Sequence, residues 1–546
     1  MQVLFIRFRK WLANPQNAIF LALLILYLVP IWCFHYFPSA DGPAHLANAH
    51  IMREFSRPSG AAFREYYDWN PLPQPNWSGH LLMAAFMIFA PPLIAEKILL
   101  SLYILLLPIS VRFVLGIIEP GARFLSILIF PLVYSVPLHA GLYNFCCSLP
   151  VFFFTLGYWI KHRGAFSFRN AINLGILLLI LYFCHLISFV MAGVAIMILT
   201  AFDLVVALKA SPVRVSPQAL GKGLREWALL PLLAFVPGGL LAGAYAGHQH
   251  NPAIFSIPLA KRLVDLVSLY SLVTFSKVEL IFSISFAALL SALGLYAILQ
   301  RTKKRGCDRW DGLLLVTIMF TLIYFAAPDA AAGGGMITPR MQLFPVFGLV
   351  LWLGRATFTP AWKRGIQWST VAIALGGLIF YTLRYAELNR YIADFTSGAE
   401  LIERNSTLYP IAFEFRGHRP DGTALSIHTM PFWQAAGYIS ASRDAIDLLN
   451  YEARSPVFPL VFRSERDPRR IGYVKINGVS WNPEPKIDFQ KYSSESSGRV
   501  DYVLVWMLDR PDHEGANARS IFDQLATDYE LIHTSPLGYA KLYHRK

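Results

Sequence analysis

Long apolar runs alternate with short polar stretches over residues 1–384, and this pattern predicts membrane-spanning helices. A helix needs about 20 apolar residues to cross the hydrocarbon core of a bilayer. The apolar segment at 80–90 is shorter, and we expect it to lie at the membrane surface. Hydropathy predicts eleven spans, at 17–35, 95–117, 123–139, 144–160, 170–186, 188–207, 228–246, 281–300, 311–327, 341–354 and 367–384.

The pattern changes after residue 384, where the chain becomes mostly polar. Residues 385–546 are numerous enough for one domain. Within them, 442–453 has helical spacing, 499–508 resembles a strand, and 529–545 resembles a terminal hairpin that turns at Pro-Leu-Gly. We therefore expect a multi-spanning α-helical membrane module of about 11 helices, followed by a C-terminal α/β domain.

Composition agrees with a membrane protein and argues against nucleic acid as a partner. Hydrophobic residues make up 55% of the chain and charged residues 15%, whereas soluble proteins carry about 25% charged residues. The formal charge is +14, but no basic cluster accompanies base-stacking aromatics in a soluble module. The five cysteines show no metal-binding spacing, and most lie in or beside apolar segments as small hydrophobic residues.

The positions of lysine and arginine predict the orientation in the membrane. If 80–90 does not span, the basic clusters at 7–10, 161–164, 209–225, 301–305 and 355–364 fall on one side. Cytoplasmic loops are enriched in Lys and Arg. We therefore expect a cytoplasmic N-terminus, a retained first helix, and an external first loop (36–94) and C-terminal domain.

The first loop opens with an acid in the sequence SADGPAH. Asp41 precedes Gly42 and Pro43, so its ordinary role would be to cap a helix that starts there. His45 and Asn48 would share a helical face with it. An external carboxylate could also accept a proton or help to hold a metal. Because two ligands are too few, we expect no metal and no other cofactor, with a divalent metal as the open alternative.

Other polar residues occur at turns predicted on the same external side. His139, Asn144 and His185 lie at helix ends, where such residues ordinarily face water or cap carbonyl groups. His50 lies off the Asp41 face, and we expect it to be structural. Arg340 directly precedes an apolar helix, where it could snorkel. That position could equally bind a phosphate, because the positive end of a helix attracts anions.

The order of these parts resembles the GT-C superfamily of integral-membrane glycosyltransferases, which includes protein and lipid A sugar transferases. The resemblance rests on one N-terminal span, a long external loop that opens with an acid, a surface helix, many spans and an external C-terminal domain. The matching residues are Asp41 in SADGPAH, the surface helix at 76–90, and Arg340 before a late span. Many members carry two near-adjacent acids in this loop, whereas in this chain the second candidate acid is the more distant Asp68.

The resemblance implies inverting transfer of a sugar from a polyprenyl-phosphate donor to a lipid, glycan or protein acceptor. It also implies a place in a bilayer, namely a bacterial inner (plasma) membrane. It assigns roles to seven residues: Asp41 as the base; Arg340, His185, His139 and Asn144 as donor-phosphate ligands; and His45 and Asp68 as groups that orient the acid or contact the acceptor.

Two other functional classes remain open from the sequence. A transporter or flippase of a lipid-linked saccharide would explain the many spans, but few charged residues lie inside them. It would also leave the large first loop and C-terminal domain without a purpose. A non-catalytic envelope-assembly protein would use the C-terminal domain for binding and would not depend on Asp41.

Overall fold

The computed structural model describes residues 9, 11–210, 229–248, 255–304, 308–331, 334–455, 457–468, 487–496, 498–507 and 515–546. Several basic positions that predict orientation, at 7, 10, 211–228 and 305, lie outside these residues. The described chain contains a large helical module and a mixed α/β region that follows it.

Most α-helices belong to the helical module. In chain order they are α1 (Pro15–Leu26), α2 (Val29–Cys33), α3 (Gly42–Glu54), α4 (Ala61–Tyr66), α5 (Ser78–Phe86), α6 (Pro92–Ile118), α7 (Phe130–Val133), α8 (Val136–His139), α9 (Tyr143–His162), α10 (Phe168–Cys184), α11 (Leu186–Ala210), α12 (Leu230–Gly247), α13 (Leu259–Ser268), α14 (Glu279–Thr302), α15 (Gly312–Ala326), α16 (Ile337–Met341), α17 (Leu343–Leu353) and α18 (Pro360–Phe395). The C-terminal region adds α19 (Ala436–Arg443), α20 (Phe489–Ser496) and α21 (Ala516–Asp528).

Short 3-10 segments complete the helical structure of the described chain. They lie at Pro58–Gly60, Pro120–Ile129, Tyr270–Leu272, Arg309–Asp311, Ala399–Leu401, Glu452–Arg454 and Ser464–Arg466. Several α-helices start at local signals in the sequence. Asn14 and Thr359 cap helices that begin with proline, because each side chain accepts a backbone N–H in the first turn.

Eight helical segments among the described residues are long and apolar enough to cross a membrane. They are Pro15–Cys33, Pro92–Ile118, Tyr143–His162, Leu186–Val206, Leu230–Gly247, Glu279–Thr302, Arg309–Ala326 and Pro360–Leu401. Three other predicted spans form shorter apolar helices, at Pro120–Val133, Phe168–Cys184 and Ile337–Leu353. These helices indicate an integral membrane protein, and a total of eleven spans stays a prediction.

The segment predicted to lie at the surface does not form a spanning helix. Residues 80–90 overlap α5 (Ser78–Phe86), which has 9 residues. At about 1.5 Å per residue, such a helix is far shorter than the hydrocarbon core.

Two of the described basic residues predicted to share one side, Arg163 and Arg355, lie in ion pairs with neighbouring segments. Arg163, which follows α9, lies 3.2 Å from Asp203, and Arg309, which is outside the predicted clusters, lies 3.5 Å from the same carboxylate. Arg355, which follows α17, lies 3.2 Å from Asp308. The start of α9 is at the other end of that helix from Arg163. Which compartment each end faces stays a prediction.

The C-terminal region contains a five-stranded mixed sheet in the order β3-β2-β5-β7-β6. Strand β2 is parallel to β3 and β5, and β7 is antiparallel to β5 and β6. The predicted strand at 499–508 and hairpin at 529–545 are confirmed. The strands of the described chain are β1 (Tyr67–Trp69), β2 (Thr407–Ala412), β3 (Ile446–Asp447), β4 (Leu460–Phe462), β5 (Tyr502–Trp506), β6 (Tyr529–Thr534) and β7 (Ala540–Arg545).

The prediction of a helix at 442–453 is wrong. Helix α19 ends at Arg443, and Asp444 takes a left-handed conformation with φ of 54°. The chain then forms β3, whose two residues are buried beside β2. Short apolar runs fit a helix or a buried strand equally well, and pairing with the sheet decides between them. The last helix of the module also continues to Phe395, beyond the predicted end at 384.

The first loop and the C-terminal domain pack against each other. Strand β1 of the loop pairs antiparallel with β4 of the domain. Helix α19 crosses α3 so closely that a Cβ at Gly437 would lie 2.2 Å from the Pro43 carbonyl oxygen. His50 Nε2 lies 2.7 Å from Asp444, as expected of a structural residue.

The last helix of the module anchors the terminal hairpin. Asp394 is buried near the end of α18. Its carboxylate accepts hydrogen bonds from the Ser535 hydroxyl and the Leu537 amide, both at 2.7 Å. One acid therefore holds the turn between β6 and β7 against the membrane module.

Replacing Asp394 by alanine is expected to loosen this hairpin. A hydrogen bond to a charged group contributes about 1.5–3 kcal/mol. Amide hydrogen exchange of residues 529–545 should therefore become at least about tenfold faster in detergent-solubilised protein. Asp421→Ala is the control, because Asp421 bonds Thr423 within an exposed turn. Equal exchange in the two variants would contradict the anchoring role.

Candidate functional site

Asp41 is positioned by backbone contacts between the first loop and the 139–141 turn. The amide of Asp41 donates to the Ala140 carbonyl at 3.1 Å, and the amide of Ala40 donates to the His139 carbonyl at 3.0 Å. Gly141 has φ of 80°, and a Cβ there would lie 2.6 Å from the Asp41 nitrogen. Glycine at 141 is therefore required for this close approach.

The predicted start of α3 is confirmed, but the predicted capping by the Asp41 side chain is wrong. Asp41 occupies the N-cap position without a side-chain capping bond. Its φ of −94° and ψ of −13° are helical, whereas a capping residue is usually extended. The carboxylate instead lies beside Tyr451, which acts to lower the pKa of Asp41.

Asp41 and Arg340 line one cavity of about 400 Å³. The first loop, the helical module and the C-terminal domain all contribute to its wall. The polar lining includes Asp41, His45, Asn144, His185, Arg340 and Tyr451, and the apolar lining includes Leu142, Phe145, Met336, Val457 and Phe458. Five of the seven residues predicted for the site therefore meet in one place.

Arg340 and His185 form a cationic wall of this cavity. Arg340 is buried, with Nε donating to the Met336 carbonyl at 3.0 Å and Nη2 donating to the Gly335 carbonyl. Its Nη1 lies 2.8 Å from His185 Nε2. Because a guanidinium group can only donate, His185 Nε2 accepts from Arg340 Nη1. His185 Nδ1 lies 3.2 Å from the Ile187 amide nitrogen. The positive charge of Arg340, held in place by these partners, suits an anion.

Asn144 adds a donor at the start of α9. Its Oδ1 accepts the Gly79 amide at 2.7 Å. Because that oxygen is engaged with α5, the amide NH₂ is the group that Asn144 offers to the cavity. This wall therefore combines the permanent positive charge of Arg340 with the neutral donor of Asn144.

The same cavity carries the Asp41 carboxylate. Burial raises the pKa of Asp41 to about 6, and the nearby charge of Glu452 adds to this effect, while His45 and Arg340 oppose it. The ionised form predominates at neutral pH, which is the form that can accept a proton. The cavity thus joins a proton acceptor to an anion-binding wall.

His45 also belongs to a second group of buried residues beside Asp41, which includes His80 and Glu452. Its Nδ1 lies 2.5 Å from Glu452 Oε1, and His80 Nε2 lies 2.7 Å from Glu452 Oε2. Asn48 also donates to Glu452 Oε2 at 2.9 Å, so the predicted shared face of His45 and Asn48 is confirmed. Burial acts to raise the pKa of Glu452, but the two histidines outweigh it and lower that pKa to about 2.

Two residues predicted for the site lie elsewhere. His139 is buried, with Nε2 2.6 Å from the Tyr385 hydroxyl and Nδ1 3.0 Å from the Ser135 carbonyl. Asp68 is exposed on β1, 3.2 Å from Arg463. Neither is among the residues that line the cavity. His139 instead joins helices, and Asp68 lies at the contact between the first loop and the domain.

Sequence reasoning missed Tyr451, Glu452 and His80. The first two lie within the segment 442–453 that was wrongly predicted as helix, and no motif marks them. His80 had a weak signal, since it is the one histidine in the apolar segment 76–90. Its partner Glu452 is brought near only by the packing of the domain on the first loop.

Comparison of the chain with models of known protein families and with curated protein sequences found no match. The functional roles of these residues therefore rest on the geometry of the cavity and on the order of parts along the chain.

Replacing Gly141 by alanine is expected to destabilise the turn that holds Asp41. A non-glycine residue in the left-handed region costs about 1–3 kcal/mol, and the added Cβ would also collide with the Asp41 backbone. The apparent free energy of unfolding of the detergent-solubilised protein should fall accordingly, as followed by tryptophan fluorescence. Gly164→Ala is the control, because no atom lies within 4 Å of a Cβ at that position. Similar losses in both variants would argue against a special role for Gly141.

Proposed function

We propose that this chain is an integral-membrane glycosyltransferase that moves a sugar from a polyprenyl-phosphate donor to a lipid, glycan or protein acceptor. The observation that carries this proposal is a single cavity in which the Asp41 carboxylate accompanies Arg340, His185 and Asn144. Its volume of about 400 Å³ falls in the range of small-molecule sites.

The donor phosphate binds against the cationic wall. Arg340 supplies the positive charge for the phosphate, and His185 holds the guanidinium group in place by accepting a hydrogen bond from Nη1. The leaving polyprenyl phosphate gains negative charge as the glycosidic bond breaks. Donors already placed at that position stabilise the transition state more than the ground state.

Asp41 serves as the base in a single displacement. It takes the proton of the acceptor hydroxyl while the acceptor oxygen forms a bond to C1 of the sugar. The bond between C1 and the phosphate oxygen breaks, and its electron pair leaves with polyprenyl phosphate. Attack opposite to the leaving group inverts the configuration at C1. Tyr451, which lines the same cavity, is placed to orient the carboxylate for this step.

The apolar side of the cavity suits the lipid part of the donor. Leu142, Phe145 and Met336 lie along the wall that also carries Arg340. A prenyl chain attached to a phosphate at this wall has apolar side chains within reach. Val457 and Phe458 of the C-terminal domain also line the cavity, and they contribute to the selection of the acceptor.

The proposal includes an orientation in the membrane. The described basic residues Arg163, Arg309 and Arg355 lie at the end of the module away from the start of α9. Lysine and arginine favour cytoplasmic loops, so the cavity faces the other compartment. The resemblance to GT-C enzymes favours the outer face of a bacterial inner membrane.

Asp41→Asn is expected to lower turnover by at least about 100-fold, because a positioned base contributes about 10²–10⁴ to the rate. Membrane insertion and binding of polyprenyl phosphate should stay unchanged, because the amide keeps the shape of the side chain. The assay uses proteoliposomes, a panel of polyprenyl-phosphate hexoses and pentoses, and a membrane extract as the source of acceptor.

Asp421→Asn, in an exposed turn of the domain, is the matched control for this experiment. Full transfer activity of Asp41→Asn would rule out Asp41 as the base. If neither wild type nor control transfers sugar, while the wild type moves the lipid-linked sugar across the bilayer, the protein is a transporter.

Arg340→Ala is expected to weaken the binding of polyprenyl phosphate by about 10- to 150-fold, which corresponds to the loss of about 1.5–3 kcal/mol from charged hydrogen bonds. The dissociation constant is measured by titrating the purified protein with a short-chain polyprenyl phosphate. Arg390→Ala, an exposed arginine on α18, is the control. Unchanged affinity in a folded Arg340→Ala protein would exclude the cationic wall as the phosphate site.

A further inference from the structure

Three ligand-type side chains from separate parts of the chain meet at one buried point beside the cavity. His45 comes from α3, His80 from α5, and Glu452 from the 3-10 segment of the C-terminal domain. Their ligand atoms all lie within 4.8 Å of one another. His45 Nδ1 and His80 Nε2 are 3.1 Å apart.

The hydrogen bond of His80 Nδ1 to the Asn76 carbonyl leaves Nε2 as the ring nitrogen that faces the other two side chains. His80 Nδ1 lies 3.2 Å from the Asn76 carbonyl oxygen, which can only accept, so Nδ1 carries the ring proton. In the neutral ring, Nε2 is then an acceptor, which is the form that binds a metal. Without a metal, Nε2 must carry a second proton in order to donate to Glu452 Oε2, which lies 2.7 Å away. A cation between the two atoms would satisfy both.

Glu452 supplies an independent observation. Its side chain is 1% exposed, and its Oε1 has no hydrogen-bond partner among the described residues. His45 Nδ1 is only 2.5 Å from that oxygen but does not have the geometry of a hydrogen bond to it. A buried carboxylate oxygen that has an ion pair but no hydrogen bond is incompletely compensated. A metal ion would complete the compensation, because a carboxylate oxygen can bind it directly.

We propose that His45, His80 and Glu452 bind a divalent metal ion of the zinc class. Two imidazoles and one carboxylate are a zinc ligand set that leaves a fourth position open. Imidazole ligands favour zinc and similar transition metals over magnesium and calcium.

The observed geometry is close to what such an ion needs. Zinc bonds of about 2.0–2.2 Å in a tetrahedral site place ligand atoms about 3.3–3.5 Å apart. His45 Nδ1 lies 2.5 Å from Glu452 Oε1, His80 Nε2 lies 2.7 Å from Oε2, and the two ring nitrogens are 3.1 Å apart. One ligand atom from each side chain lies within 4.8 Å of the others, so the side chains have to adjust by about 1 Å to hold an ion. Outer partners are already present: Asn48 donates to Glu452 Oε2, and the Asn76 carbonyl accepts from His80.

The ion would tie the first loop to the C-terminal domain. His45 and His80 belong to two helices of the loop, and Glu452 belongs to the domain beside Tyr451, the partner of Asp41. His45 also lines the cavity, so the ion would lie next to it. This inference does not depend on the proposed sugar transfer, because binding of the metal is measured without substrate.

The test measures metal content of the full-length protein in detergent. Protein treated with EDTA is dialysed against zinc sulfate, desalted and analysed by inductively coupled plasma mass spectrometry. Wild type should retain one zinc ion per chain. His45→Gln, His80→Gln and Glu452→Gln should each retain at least fivefold less. His50→Gln is the matched control, since His50 also lies on α3 and pairs with a carboxylate, that of Asp444.

Wild type without stoichiometric zinc would overturn the proposal and identify the group as a metal-free cluster of ion pairs. Retention by all three ligand variants would also overturn it. If the variants do not fold, X-ray absorption of zinc-loaded wild type decides the question. Scattering from two imidazoles is expected, with Zn–N distances of about 2.0–2.1 Å, and a spectrum without imidazole scattering contradicts the proposal.

Discussion

Two backbone hydrogen bonds between residues 40–41 and 139–140 hold the first loop on the membrane module, and the geometry of the cavity depends on them. They are possible because Gly141 has no side chain where the Asp41 backbone passes. With this contact in place, α3 starts at a fixed point, and Asp41, His45 and Asn48 follow along it. The helix then provides one surface against which the C-terminal domain packs.

The second constraint is the cost of buried charge. Arg340 and Glu452 are buried, and an unpaired ion in such surroundings would be strongly destabilising. The structure meets this cost with neighbours from distant parts of the chain. Arg340 has backbone carbonyls and the ring of His185, while Glu452 has two imidazoles and the amide of Asn48. Both groups lie where the loop, the module and the domain meet, and this location makes them candidates for function.

Local signals predicted much of the architecture correctly. Apolar length marked the eight long helices, proline and an acid marked the start of α3, and alternation with a Pro-Leu-Gly turn marked β6 and β7. Each of these features depends on neighbours within a few residues. The segment 442–453 failed because its apolar spacing suits either a helix or a strand, and β2 supplied a partner for the strand. Capping by Asp41 failed because its backbone is already helical, whereas a capping residue is usually extended.

The sequence by itself determined that this is a membrane protein with polar groups concentrated in a few loops, and it identified Asp41, Arg340, His185, Asn144 and His45. Only the tertiary structure decided which of these residues meet, since His139 had the same signal as His185 but contacts Tyr385 in the helical module. Tyr451, Glu452 and His80 also entered through tertiary contacts alone. The physical reason is that hydropathy and capping act over a few residues, whereas the pairing of a buried acid with its partners acts through space between segments about 400 residues apart.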